Sequence, residues 1–392
     1  MPRLLFNRWT GLFSSCALAA LLACDVGGGG VPLGEPTGSG GGNADACVPD
    51  VCAVPNGVTW SCKTRFMYGA NWAWRSFAGD FGGVAAWNVR GVDANPGPFS
   101  DALAQMKSAG VSVVRWWMFP RLVTDAIRWD ADGGPAGITA ALTADVQRAL
   151  ALAEERDVYI MLTPFSFDNF KPTRMENGIY SRSLKPMVVD PALRKKLVEN
   201  VLVPIADAIA QSPYRSRMIA WDVVNEPEWA MKGPSLTGDP DFPAQPGLDL
   251  VTHAEMETFL REAGAALRRS GSLVSVGGAA IKWAKAWTRL DVDFYQLHYY
   301  DWVYEFFPYE QVTLASVGLT DKPVVMGEFP SDGVSAISSK GLPARSGAQF
   351  VADLEAAGYA GALSWAYNDP SFPWDAGASK AYADVGGCGV RY

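Results

Sequence analysis

Histidine is scarce in this chain: the 392 residues include two, His253 and His298. So few imidazoles, with no clustered ligand spacing, argue against a catalytic metal site. Basic residues are also in the minority, because 33 Lys and Arg stand against 41 Asp and Glu. The resulting net charge of −8 argues against nucleic acid as a partner. No glycine-rich phosphate fingerprint occurs either, so the sequence predicts no metal, no cofactor and no nucleic acid partner.

The composition is that of a folded protein. With 49% hydrophobic residues, 19% charged residues and a mean hydropathy of +0.03, the chain is predicted to form one large globular domain. Aromatic residues make up 12% of it and include 15 tryptophans. Indole faces suit the apolar faces of pyranose rings, and core packing is the alternative explanation for each of these residues.

The N-terminus is predicted to be a bacterial lipoprotein signal. Arg3 and Arg8 precede an apolar stretch at 12–23 that is too short to cross a bilayer as a helix. The stretch ends in Leu-Leu-Ala followed by Cys24, which is the residue that would carry lipid. We therefore expect an exported protein, anchored through Cys24 at the outer membrane or the cell surface. Cleavage by the ordinary signal peptidase, with release as a soluble extracellular protein, is the alternative.

These signals divide the chain into three parts. Residues 1–23 are the predicted signal peptide, and residues 24–46 are a glycine-rich flexible tether with no apolar face to bury. Residues 47–392 form the predicted catalytic domain. We expect this domain to act as a monomer.

Four cysteines remain in the predicted domain, an even number consistent with two disulfide bonds in an oxidising compartment. They are Cys47, Cys52, Cys62 and Cys388. Three of them precede the first predicted strand and one lies near the C-terminus, so at least one bridge would join the two chain ends if all four are oxidised. The sequence leaves the pairing open.

Eight predicted strands alternate with helical patterns, which is the order and size of a single (β/α)₈ barrel. The strands are predicted at 66–73, 111–118, 158–163, 218–224, 273–276, 294–298, 323–326 and 360–365. Helices are predicted at 99–108, 144–155, 191–211, 254–269, 309–317 and 349–357, with a weak fifth helix near 281–288. The tail after residue 368 has little periodicity, so the eighth helix is expected to be short or irregular. A doubly wound open sheet is the alternative architecture.

Two glutamates follow short apolar runs of the kind that form buried strands. Glu226 ends the fourth predicted strand and Glu328 the seventh, and a proline-containing loop follows each. Because the carboxyl ends of the strands of a barrel share one face, we expect both acids to lie there. Two carboxyl groups on that face predict glycoside cleavage.

The sequence around these acids resembles that of the clan A glycoside hydrolases, and within them family 5, the cellulase and β-mannanase type. The resemblance is carried by Asn225-Glu226-Pro227 and Gly327-Glu328-Phe329. Matching residues lie at other predicted strand ends, namely Asn71, Arg115, His298, Tyr300 and Trp365. It covers essentially the whole predicted domain.

The resemblance implies a retaining double displacement, with Glu226 as the acid/base and Glu328 as the nucleophile. Arg115, His298 and Tyr300 would keep Glu328 ionised by charge and hydrogen bonds. Asn225 would contact the 2-hydroxyl of the sugar, and Trp365 would form the floor under the reacting ring. Structural explanations stay open at this stage for several of these residues: a salt bridge for Arg115, core packing for His298 and turn formation for Asn71.

One departure concerns the third strand, which ends without the histidine usual in family 5. Ser166, Asp168 or Asn169 would contact the sugar in its place. The segment 113–119, with Trp116 and Trp117 after Arg115, resembles the mannan-degrading members of the family, which favours β-mannan over β-glucan as the β-1,4-linked polysaccharide. The long loops at 163–190 and 229–250 favour endo action. Candidates for stacking on sugars are Trp72, Trp229 and Trp302, with Trp74, Trp117 and Trp374. The alternative function is a lipid-anchored carbohydrate-binding protein on a non-catalytic barrel.

Overall fold

The computed structural model describes residues 54, 56–385 and 392, which fall in one compact unit, Cys52–Tyr392. The predicted signal peptide, the tether and the lipid site at Cys24 lie outside the described residues. So do Cys47, Cys52 and Cys388, whereas Cys62 is part of a disulfide bond. No helix among the described residues is long and apolar enough to cross a membrane.

The predicted (β/α)₈ barrel is confirmed. Each barrel strand pairs in parallel with its neighbours, and the fourth strand pairs with the fifth to close the ring. The eight strands are β1 Met67–Trp72, β2 Val113–Trp117, β3 Tyr159–Thr163, β4 Met218–Asn225, β5 Leu273–Gly278, β6 Tyr295–His298, β7 Val324–Pro330 and β8 Gly361–Trp365. All eight were predicted to within a few residues, because strands that are buried on both faces appear in the sequence as continuous apolar runs.

Helices separate most of the strands. They are α1 Gly97–Ser108, α2 Ala140–Glu155, α3 Lys185–Val189, α4 Pro191–Leu197, α5 Val203–Ala210, α6 His253–Leu267, α7 Asp301–Phe306, α8 Gly347–Ala356 and α9 Ala376–Val385. The weak fifth helix is a single 3₁₀ turn at Ile281–Trp283, and α9 is the short eighth helix. The helix predicted at 309–317 is wrong: this segment forms turns, and the helix of this unit is α7, which ends before Pro308.

The amino-terminal half of the barrel interior is filled with apolar side chains. Met67, Val113, Met161, Ile219 and Val325 contribute to this cluster from five strands. The C-terminal residue Tyr392 packs there as well, and its hydroxyl donates to the carbonyl of Val58 at 3.2 Å. This end of the barrel is therefore closed, and the polar side chains of the interior lie toward the carboxyl ends of the strands.

Short elements surround that polar end. Phe165–Ser166 adds a two-residue strand beside the end of β4, and Arg174–Glu176 pairs with Ile179–Ser181 in a hairpin. A further two-stranded pair, Lys232–Gly233 with Phe242–Pro243, lies in the loop after β4. A third pair, Ile127–Trp129 with Pro135–Ile138, lies in the loop after β2, so the loops after β2, β3 and β4 all carry extra structure.

Candidate active site

The end of β4 is distorted where it carries Glu226. The register between β4 and β5 shifts between Asp222 and Asn225, so these residues face the interior although three positions apart. Glu226 itself is in the left-handed region at φ 49° and ψ 51°. A non-glycine residue there costs energy and is held by its surroundings, a condition common at functional sites. The distortion turns both Asn225 and Glu226 toward the open end of the barrel.

Glu226 and Glu328 meet above the barrel interior. Glu328 lies within β7, opposite His298 at the end of β6. One oxygen of each carboxyl group and one ring nitrogen of His298 all lie within 4.8 Å of one another. All three side chains are buried. Two residues separated by 102 positions are therefore close enough to act on one bond.

The guanidinium of Arg115 organises the interior beneath the two acids. Its Nη1 donates to Glu328 Oε1 at 2.7 Å and to Asn71 Oδ1 at 2.6 Å. Its Nη2 donates to Asp222 Oδ2 at 2.5 Å and to Asn225 Oδ1 at 2.6 Å, and its Nε donates to Asp222 Oδ2 at 3.0 Å. Every N–H group of the guanidinium thus has an acceptor, as a fully buried arginine requires.

Glu328 is the better stabilised anion of the pair. Burial raises the pKa of its carboxyl group, and the pKa stays above its usual value although His298, the positive charge of Arg115 and a hydrogen bond from the Tyr300 hydroxyl at 2.7 Å all act to lower it. The charge of Glu226 acts in the opposite direction. With a guanidinium on one oxygen and a phenol on the other, Glu328 is arranged to carry negative charge.

Glu226 is arranged to keep its proton. Burial raises the pKa of its carboxyl group to about 8, against the lowering effect of the Trp229 indole N–H and the more distant Arg115. The indole donates to Oε2 at 2.9 Å, and Nδ1 of His298 lies 2.7 Å from Oε1. Neither contact brings a full positive charge, because burial lowers the pKa of His298 to about 4 and keeps the ring neutral at neutral pH. The two carboxyl groups therefore have different surroundings, with a guanidinium and a phenol on Glu328 and an indole and a neutral imidazole on Glu226.

The structure gives His298 a second partner besides the one implied by the resemblance. Its Nδ1 is 2.7 Å from Glu226 Oε1 and 3.5 Å from Glu328 Oε2. The residue therefore contacts both carboxyl groups, with the shorter contact to Glu226, whereas Tyr300, two positions on, contacts Glu328.

Asn71 and Asn225 are both fully buried and both accept from Arg115. The amide nitrogen of Asn71 donates to the carbonyl of Gly327 at 2.9 Å, which places the residue behind Arg115 and away from the substrate surface. Asn225 lies beside Glu226, and its amide nitrogen donates to Ser166 Oγ at 3.3 Å. That nitrogen carries a second N–H group that can reach a substrate.

The third-strand end is filled by residues that bond to one another. Ser166 accepts from Asn225, and Asn169 caps the turn that follows, with Oδ1 accepting from the Ser166 N–H at 2.6 Å. Asp168 is buried, and its nearest cation is Arg121, at 3.5 Å. Of the three candidates, Ser166 is the one in contact with the residues around the acids.

The predicted subsite role of Trp72 is wrong. Trp72 is 1% exposed and stacks on Trp116 with ring centroids 4.5 Å apart. The reason is strand alternation: Asn71 faces the barrel interior, so its neighbour Trp72 faces the helix layer.

Other tryptophans lie close to the two acids. Trp229 and Trp302 are partly exposed, with ring centroids 6.1 Å apart, and Trp229 also contacts Glu226. Trp365 lies on the other side, 5.8 Å from Trp117, which in turn lies near Arg115. Aromatic rings therefore flank the acids in two directions. Trp74 and Trp374 are partly exposed and pack against Phe77 and Tyr367, respectively.

Sequence reasoning missed two buried acids. Asp222 pairs with Arg115, and its signal was present, since an acid inside an apolar run needs a partner. Glu228 accepts from the Ala279 N–H at 3.0 Å and from the Trp287 indole at 2.7 Å, and burial raises the pKa of its carboxyl group to about 8. Glu228 follows Pro227 in a loop, and the sequence carries no local signal of its burial.

Glu226, His298 and Glu328 are also spaced such that they could hold a metal ion. The guanidinium of Arg115, 2.7 Å from Glu328, places a positive charge beside that position and disfavours a second cation there.

The fold and the paired acids define a glycoside hydrolase of the (β/α)₈ barrel class. No protein-family model matches the chain. The chain is 25% identical over 345 residues to the mannan endo-1,4-beta-mannosidase of Mytilus edulis, a match that covers 78% of this chain and 85% of that one. It is 26% identical over 171 residues to the enzyme of the same name from Cryptopygus antarcticus, covering 43% and 39% of the two chains.

Solved structures agree on the fold. The β-mannanase of the blue mussel Mytilus edulis superposes with a TM-score of 0.66 at 22% identity, covering 86% of this chain and 96% of that one. The endo-1,4-beta-mannanase of Eisenia fetida superposes with the same score at 20% identity, covering 86% and 94%. The predicted resemblance is confirmed, because the chain is similar in sequence to β-mannanases and shares the fold of their solved structures.

Proposed function

We propose that the protein is a retaining endo-β-mannanase in which Glu226 is the acid/base and Glu328 the nucleophile. The observation that carries the proposal is the approach of the two carboxyl groups, which have oxygens within 4.8 Å of each other. Retaining enzymes hold their carboxyl groups about 5–5.5 Å apart, whereas inverting enzymes need roughly 6.5–9.5 Å to admit a water molecule. The short separation favours direct attack by a carboxylate.

In the first step, Glu328 attacks the anomeric carbon while Glu226 donates its proton to the leaving oxygen. The environments support these roles, since Arg115 and Tyr300 stabilise the Glu328 anion and burial keeps Glu226 protonated. The product of this step is a glycosyl ester on Glu328, and the aglycone leaves with the proton.

In the second step, Glu226 takes a proton from water, and the water oxygen attacks the anomeric carbon and releases Glu328. Esterification removes the negative charge from Glu328, so it no longer raises the pKa of the nearby acid. Glu226 can then remain ionised and act as a base. The free amide N–H of Asn225 is placed to donate to the 2-hydroxyl of the sugar, a contact that strengthens as positive charge develops on the ring.

The substrate class rests on the relatives and on the aromatic rings. Both curated relatives are named as mannan endo-1,4-beta-mannosidases. The pair Trp229 and Trp302 lies on the acid/base side, where the leaving part of the chain would bind, and Trp365 lies on the opposite side. Rings on both sides of the cleavage point suit a polysaccharide that extends past the site in both directions.

The test is hydrolysis of dye-linked mannan, glucomannan, xylan and barley β-glucan by the wild type and by Glu328→Gln. We expect cleavage of the mannans and a loss of at least about 10³-fold in the variant, because the nucleophile is removed. Glu310→Gln, at an exposed position, is the matched control. Undiminished hydrolysis by Glu328→Gln would refute the assigned nucleophile. Proton NMR of the fresh product should show the β-anomer, and the inverted anomer would exclude double displacement.

We also propose export and anchoring through lipid on Cys24, a residue outside the described part of the chain. The support is the Leu-Leu-Ala-Cys sequence after a charged and apolar leader. Radiolabelled palmitate supplied to expressing bacteria should label the wild type and not Cys24→Ser. Equal labelling of the two proteins would refute the anchor.

A further inference from the structure

Two buried side chains on β6 carry polar atoms that form no hydrogen bond with any described residue. They are Gln296, through both amide atoms, and His298, through Nε2. Gln296 is 2% exposed and His298 is fully buried. Buried polar groups nearly always have a partner, so these three atoms call for an explanation.

The unpaired atoms border one small space. A Cβ atom at Gly327 would lie 2.7 Å from Gln296 Oε1 and 3.0 Å from His298 Nε2, so the absence of a side chain at Gly327 keeps this space open. A half-turn of the Gln296 amide exchanges its oxygen and nitrogen, and the group can therefore offer His298 either an acceptor or a donor. The two groups do not bond to each other in the structure, so the contact needs a small movement of the amide or one bridging water.

The proton position on His298 affects the acid. Nδ1 of the ring lies 2.7 Å from Glu226 Oε1, while Oε2 of the same carboxyl group accepts from Trp229. With the proton on Nδ1, the ring donates to Oε1 and leaves the carboxyl proton on Oε2. With the proton on Nε2 instead, Nδ1 becomes an acceptor and draws the carboxyl proton of Glu226 into a hydrogen bond with the ring.

We propose that Gln296 is a positioning residue that keeps the proton of His298 on Nδ1 by donating an amide N–H to Nε2. The inference rests on the proposed role of Glu226 as the acid/base. Gln296 thereby keeps the carboxyl proton available for the leaving oxygen. The other ionisable groups around the ring are Glu328, Arg115, Asp222 and Tyr300. Within the described residues none of these forms a hydrogen bond with Nε2.

Nitrogen-15 NMR of histidine-labelled protein tests the proton position directly. The chain has two histidines, and His253 is an internal reference of the opposite form. Its Nδ1 accepts from the Leu236 N–H at 2.9 Å, so its proton is on Nε2, 2.9 Å from the carbonyl of Ala286. In the wild type near pH 7 we expect His298 to carry its proton on Nδ1. A proton on Nε2 in the wild type would overturn the inference without any variant.

The variant is Gln296→Met, which keeps a similar length and removes the amide. We expect part of the His298 population to move its proton to Nε2. Gln147→Met is the matched control, because Gln147 donates to the carbonyl of Ala208 on the outer helices and its loss should leave the His298 signals unchanged. A Gln296→Met spectrum identical to that of the wild type would overturn the inference.

The kinetic consequence separates a positioning role from a purely structural one. In Gln296→Met we expect kcat to fall roughly tenfold with KM unchanged, about the effect of one hydrogen bond. The basic limb of the pH profile should move to higher pH, because the neutral form of Glu226 gains a bond to the ring. A lower kcat with an unmoved limb would overturn the inference. If the wild type cleaves no polysaccharide, the proposed function fails, and the NMR measurement still decides the proton position.

Discussion

Tyr300→Phe removes the hydroxyl group that donates a hydrogen bond to Glu328. The hydroxyl of Tyr300 donates to Glu328 Oε2 at 2.7 Å, and its ring is 6% exposed and packs against Phe372 with centroids 5.7 Å apart. A phenylalanine keeps the ring and this packing. The ion pair between Arg115 and Oε1 also remains, so the substitution removes the phenol hydrogen bond while Glu328 keeps its paired cation.

The size of the effect follows from the charge on the acceptor. A hydrogen bond to an ionised group contributes about 1.5–3 kcal/mol, and one pKa unit corresponds to about 1.4 kcal/mol. The pKa of Glu328 should therefore rise by about 1–2 units in the variant. Since the nucleophile reacts in its ionised form, activity is lost below this pKa, and the acid limb should move to higher pH by the same amount.

The assay is kcat/KM on soluble mannan between pH 3 and pH 9, which reports the pKa values of the free enzyme. Tyr367→Phe is the matched control, because the Tyr367 hydroxyl bonds to exposed Gln105 and should leave both limbs in place. An acid limb that stays within 0.3 pH units of the wild type, as a rough threshold for one weak contact, would refute the assignment of Tyr300 as a stabiliser of the Glu328 anion.

The remaining predictions concern stability and binding. Burial raises the pKa values of Glu226 and Glu228 from 4.5 to about 8. Between these two pH values the folded state holds more protons than the unfolded state. The free energy of unfolding should therefore fall as the pH rises from 4.5 to about 8. Urea unfolding of Glu228→Gln should show a fall that is smaller by up to about 1.4 kcal/mol per pH unit, and an unchanged slope would contradict the raised pKa. Asp222→Asn removes one of the two acids paired with the buried Arg115 charge and should cost about 3–5 kcal/mol in the same measurement, whereas a loss below about 1 kcal/mol would show that this pair is not needed. Trp302→Ala should raise KM for mannan several-fold with an unchanged melting temperature. Trp72→Ala should lower the free energy of unfolding by about 3–5 kcal/mol, because it empties a site in the core. The reverse pattern would refute the assignment of Trp302 to the substrate surface and of Trp72 to the core.

Much of the barrel was predictable because its strands are buried on both faces. Such a strand appears in the sequence as a short apolar run, and this run does not depend on which strands pair with it. Each strand could therefore be located from its own segment of the sequence. The turns at 309–317 were missed because several apolar residues there, including Tyr309 and Leu314, bury themselves without forming a helix. Local periodicity does not distinguish these two ways of burying an apolar side chain.

The sequence predicted which residues form the site better than it predicted the contacts that these residues make. Glu226 and Glu328 stood out because each ends an apolar run, which is a local property of the sequence. The pairing of His298 with Glu226, the five hydrogen bonds of Arg115 and the unpaired amide of Gln296 depend on groups from different strands. Trp72 shows the same limit, since one step along a strand moves a side chain from the interior to the helix layer.

The amino-acid sequence by itself determined the order of strands and helices and the position of two acids at strand ends. A buried strand and the residue at its carboxyl end can both be recognised from the residues of that one segment. The tertiary structure alone decided that those acids lie within 4.8 Å of each other and that their neighbours differ. Closing the ring of strands sets that distance and brings Arg115 and Tyr300 to one acid and Trp229 and His298 to the other.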